Sequence, residues 1–134
     1  MRDGSIFHSM DLIAVALGGA LGSALRYAAQ NAARAWLGSA FPWGTLAVNL
    51  LGSLLIGVCA AAFDRGWPAL RPWVMAGLLG GFTTFSAFSL ENLQLLRGGQ
   101  AAWALLYSVG SVAGGLCLAW AGYSGARVLF GDAS

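Results

Sequence analysis

"GGFTTFSAFSLEN", residues Gly80 to Asn92, sets paired glycines, four hydroxyls and a carboxylate inside an otherwise apolar run. Glycine and threonine are weak helix formers, and hydroxyls can take up backbone bonds that a broken helix releases, so a kink or interruption is expected here. Carbonyls turned inward at such a break suit a cation, whereas amide N–H groups and the start of a new half-helix suit an anion. Where the helix resumes, Phe85, Phe88 and Asn92 share a face at i, i+3 and i+7, with Ser89 beside them. A phenylalanine pair at that spacing is commonly just packing. Presented edge-on to a narrow passage, the same rings would offer positive rims to an anion without any fixed charge. Glu91 falls toward the far end of this run, at a vestibule rather than in the passage.

The surroundings of this segment define the solvent. Of 134 residues, 58% are hydrophobic and 9% charged, which moves the chain from the soluble globular class to small polytopic membrane proteins. A spanning helix needs about 20 mostly apolar residues. Four stretches meet that length, Leu12–Ala33, Gly44–Phe63, Pro72–Leu96 and Ala101–Tyr123, so the chain is read as a single four-span domain, all-α, over residues 1–134. The connections "LGSAFPWG", "DRGWPALRP" and "RGGQ" carry the usual breakers and are too short for a soluble domain. The first stretch is interrupted by Arg26 and lacks a well-placed cleavage site, so it is read as retained rather than as a signal peptide.

All seven basic residues are arginines, and they are scattered, which argues against a nucleic-acid face. With four spans, Arg2, Arg65, Arg71 and Arg127 lie on one side and Arg34 and Arg97 on the other, with Arg26 near the second group. The positive-inside bias is slight: it fits one weakly determined orientation and equally permits insertion both ways round. Cys59 and Cys117 fall inside spans and read as small apolar packing residues; His8 lies in a polar N-terminal tail. Glycine is frequent, at 20 residues. The pairs Gly18/Gly22, Gly19/Ser23, Gly110/Gly114 and Ser111/Gly115 repeat the spacing that lets helix backbones approach, within one chain or between copies.

Polar groups in the bilayer core are costly and mark candidate functional positions. Arg26, one turn after Gly22, either snorkels to the interface or attracts anions. Asn49 in "GTLAVNLLGS" offers two donors that hydrocarbon cannot satisfy, as interhelical glue or as an ion contact. Tyr107 and Ser111 share a helical face with Gly115, giving a short hydroxyl stripe, while Ser108 lies off it and is placed to bond to its own helix. A donor-lined route with no lysine and no deep carboxylate suits a small anion better than a cation. The alternative, a small four-helix exporter of organic cations, needs a membrane-embedded carboxylate facing the bundle; a non-transporting scaffold needs only polar glue.

"GGALGSALRY" (Gly18–Tyr27), "WGTLAVNLLGS" (Trp43–Ser53) and "GLLGGFTTFSAFSLEN" (Gly77–Asn92) together resemble the fluoride ion channel family called Fluc or CrcB, in order and in placement on the spans. The resemblance implies an antiparallel, dual-topology homodimer in the cell membrane, a broken third helix, and two fluoride pathways at the dimer interface. It also implies a structural Na+ on the symmetry axis, held by backbone carbonyls at Gly80 and Thr83. By motif position it assigns Phe85, Phe88, Asn49, Tyr107 and Ser111 to the fluoride pathway, with Thr84 and Ser86 as further candidates, and Arg26 and Glu91 to the entrance. The implied protein is no enzyme but a passive exporter: fluoride enters a cell as HF, dissociates, and leaves down its gradient. The sequence departs from some members at Gly115, where they carry a further hydroxyl.

Overall fold

The computed structural model describes residues 3–66 and 68–130, excluding the side chains of residues 3–9, 68 and 130. Arg2 and the His8 side chain therefore lie outside the described residues. Among the described residues four helices are long and apolar enough to cross a membrane: Met10–Leu37, Trp43–Phe63, Pro72–Arg97 and Ala101–Leu129. The all-α reading with four spans holds at that level.

The first helix, α1 (Asp3–Leu37), continues past Ala33 and stops where Gly38 turns the chain at φ 80°. The second, α2 (Trp43–Phe63), follows a short loop whose Phe41 folds back onto Trp103 and Tyr107, with ring centroids 5.6 and 5.5 Å away. Along the third span, Pro72–Arg97, the winding changes. In its first part, α3 (residues 72–82), Pro72–Leu79 is wound as a π-helix and Gly80–Phe82 adds a single α-helical turn. Such wide winding is rare and recurs at functional sites. The second part, α4 (Phe85–Arg97), ends at Gly98, and Gly99 at φ 73° turns the chain into α5 (Ala101–Phe130). The last helix runs beyond Tyr123 because hydropathy marks the apolar part of a helix, not its hydrogen-bonded end.

Helices in lipid gain little from hiding apolar side chains and associate through close backbone contact. The glycines act in that way. On α1, a Cβ at Gly22 would strike the Leu78 carbonyl of α3, and one at Gly77 would lie 3.0 Å from the Val15 carbonyl. On the other pair, Gly57 of α2 lies against the Ala119 carbonyl and Gly122 of α5 against the Leu54 carbonyl. The bundle is thus two tightly packed pairs, α1 with α3 and α2 with α5. Gly110 differs: a Cβ there would meet no atom within 4 Å among the described residues.

Candidate functional site

The site is built around Thr83 and Thr84, both in extended conformation (φ −81°, ψ 159° and φ −153°, ψ 121°) between the helical residues Phe82 and Phe85. Backbone groups that leave a helix in an apolar setting need new partners. The Thr84 N–H donates to Asn49 Oδ1 at 2.8 Å, and Asn49 Nδ2 donates to the Thr84 carbonyl at 3.0 Å. The Gly81 carbonyl accepts from Arg26 Nε at 3.1 Å and from Ser23 Oγ at 3.4 Å. Thr83 bonds back, both its N–H and its hydroxyl donating to the Leu79 carbonyl at 3.0 Å. Thr84 Oγ1 accepts from the Ala87 N–H at 3.2 Å, capping α4, and lies 3.3 Å from Ser86 Oγ.

A groove of about 270 Å³ opens beside this segment, lined in part by Asn49, Ser53, Gly80, Thr83, Thr84 and Phe85. The Phe85 ring is 78% exposed, and its centroid lies 5.4 Å from that of Phe88. Phe88 in turn sits 5.1 Å from the Tyr107 ring. The aromatic line therefore leads from the open groove to Tyr107, which is wholly buried.

Tyr107 and Thr45 meet on one carboxylate. Tyr107 OH donates to Glu91 Oε2 and Thr45 Oγ1 to Glu91 Oε1, each at 2.7 Å, while Gln30 Nε2 donates to Thr45 Oγ1 at 2.9 Å. Charge-assisted bonds of this length are among the stronger ones in a protein. They place Glu91 at the inner wall of a cleft of about 450 Å³ that Gln30, Arg34, Gln94 and Gln100 also line. Arg26 is not in that cleft; its side chain is committed to the Gly81 carbonyl.

Thr45 and Tyr107 also fix a register. Helices α2 and α5 run parallel, and further along them Ser53 faces Gly115 and Gly57 faces Ala119 in the same phase. Between these levels the register sets Asn49 opposite Ser111. Ser111 Oγ is buried, with no hydrogen-bond partner among the described residues. Ser108 does not bond to its own helix as expected; its hydroxyl donates to Asn92 Oδ1 at 2.9 Å, tying α5 to α4. Of the residues singled out from sequence, Asn49, Gly80, Thr83, Thr84 and Phe85 converge on the groove and Phe88, Tyr107 and Glu91 form one connected line. Gln30, Thr45, Ser23 and Ser53 were missed. Thr45 and Ser53 stand one turn either side of Asn49, a spacing that would have found them.

Comparison with known proteins adds the lineage. The family model described as "CrcB-like protein, Camphor Resistance (CrcB)" matches residues 13–123. The chain belongs to the CrcB family. Similar members include a Magnetococcus marinus protein named "Fluoride-specific ion channel FluC", 52% identical over 77% of this chain and 86% of its own. Proteins of the same name from Thermus thermophilus and Nitrobacter winogradskyi are 51% and 48% identical, over 81% and 75% of this chain and 89% and 82% of theirs. With its four membrane-length apolar helices, this CrcB-family chain is a multi-pass membrane protein.

Proposed function

We propose that the chain is one subunit of a fluoride-selective channel that lets cytoplasmic fluoride leave passively, without enzymatic chemistry. The observation that carries this reading is its 52% identity to a protein named for fluoride-specific conduction. The groove adds physical support. Fluoride is small and tightly hydrated, and a pathway must replace its water with dipoles strong enough to admit it and weak enough to release it. The ring rims of Phe85 and Phe88, the Ser111 hydroxyl that has no partner among the described residues, and Thr84 are groups of that kind, with Asn49 holding the segment in place. Tyr107, hydrogen-bonded to Glu91, forms the wall toward the vestibule. Arg26 acts from behind the interruption, where its charge, held on the Gly81 carbonyl, favours anions nearby.

The finer assembly belongs to the same proposal. Two copies, inserted in opposite directions, complete two pathways across the face on which Phe85 is exposed, and the Thr83–Thr84 interruption acts as a functional break in the third span. A resident Na+ fits the donors available. Among the described residues no three His, Cys, Asp or Glu side chains cluster, so a cation here would rest on neutral oxygens. An interrupted helix supplies these as backbone carbonyls, and the environment of Gly80, where an added Cβ would lie 3.6 Å from the Met75 carbonyl, leaves room for them. The Gly80 and Thr83 carbonyls of both copies would hold the ion, which would supply fixed positive charge near the anion route. An organic-cation exporter has less to rest on, since both oxygens of Glu91 accept from hydroxyls.

The test is direct. The purified protein in sealed liposomes loaded with fluoride, read by a fluoride electrode with chloride as the control anion, is expected to release fluoride and retain chloride. Release of neither, or of both alike, removes the reading.

A further inference from the structure

The polar register between α2 and α5 has a rung that one helix alone can supply. At its first level Thr45 and Tyr107 both donate to Glu91. At the next, Asn49 stands opposite Ser111, whose hydroxyl is buried and has no partner among the described residues. One turn further along α5 comes Gly115, which has no side chain. A Cβ built there would lie 3.2 Å from Ser53 Oγ and 3.9 Å from Ser53 Cβ, so the Ser53 hydroxyl occupies the space that a Gly115 side chain would enter. Ser53 also lines the 270 Å³ groove together with Asn49, Thr84 and Phe85. Resting on the channel reading above, we infer that Ser53 is a fluoride-contacting residue of this chain, its hydroxyl on α2 serving as the rung that α5 omits at Gly115.

The hydroxyl is free to act in that way. Ser53 Oγ donates to the Asn49 carbonyl of its own helix at 2.8 Å. A serine hydroxyl rotates about its C–O bond, so the same proton can swing to an anion in the groove and return when the anion moves on. The carbonyl it leaves keeps its place in the α2 ladder, so the swing breaks no backbone bond. No covalent step is involved.

Ser53→Ala removes the donor and little volume. A hydrogen bond to a charged group contributes about 1.5–3 kcal/mol, so the fluoride release rate is expected to fall by about tenfold or more. The double variant Ser53→Ala with Gly115→Ser moves the hydroxyl across to α5 into space the first substitution clears, and release is expected to recover. Ser53→Ala with Gly115→Ala fills the same space without a donor and is expected to stay slow, which separates donation from packing. All three are read beside elution profiles of the purified protein and chloride retention. Ser53→Ala conducting at the native rate, or the two double variants behaving alike, overturns the inference while leaving the channel reading standing. Native protein that releases no fluoride overturns both.

Discussion

Asn49 and Thr84 exchange two hydrogen bonds across the bundle, so a side-chain amide on α2 satisfies both backbone groups of a residue that belongs to no helix. The amide thus completes the secondary structure of another span. Any transport role of Asn49 is superimposed on that structural one.

Asn49→Ala strands the Thr84 N–H and carbonyl together, at about 1–3 kcal/mol for each buried group left unpaired. The thermal midpoint in detergent is expected to drop by several degrees and fluoride release to fall with it. An unchanged midpoint would show that the segment holds its shape unaided.

Phe85→Ile is expected to separate conduction from folding. The ring is 78% exposed within its own chain and touches Phe88 at a centroid distance of 5.4 Å. Its loss leaves the core intact, so the elution profile should match native protein while fluoride release falls. Native rates from this variant would take Phe85 out of the route.

Tyr107→Phe keeps the ring packed between Phe41 and Phe88 and deletes only the donor to Glu91. Losing one hydrogen bond to a carboxylate is expected to cost about 1.5–3 kcal/mol. A double-mutant cycle with Glu91→Gln checks it: the two substitutions together should cost clearly less than their sum, because they share one contact. Strict additivity would mean that the 2.7 Å bond does not contribute to stability.

Two glycines on different faces should answer alike substitutions differently. Gly22→Ala drives a methyl into the Leu78 carbonyl and is expected to abolish recovery of folded protein, whereas Gly110→Ala meets open space among the described residues. Fluorescence-detected size exclusion distinguishes them. A Gly110→Ala sample with intact subunits that no longer associate would place Gly110 at a contact between copies.

Much of this was legible in the chain. Composition gave the four spans because a bilayer accepts few alternatives. What stayed hidden depends on neighbours. The hydrogen bond of the Arg26 guanidinium to a carbonyl 55 positions away is one such feature. Ser53 drew no reading of its own, because only the phase between α2 and α5 sets it against Gly115. Hydropathy reports how far a residue is from water, not which residue faces it.

That phase has an evolutionary corollary. Since Thr45, Asn49 and Ser53 recur at four-residue steps against a parallel helix, a hydroxyl can migrate from one side of a rung to the other by point substitution. A single-residue insertion in α2 between Thr45 and Ser53 would instead rotate the later steps by about 100°. Point substitution keeps the two rails in phase, whereas lengthening one rail alone breaks it.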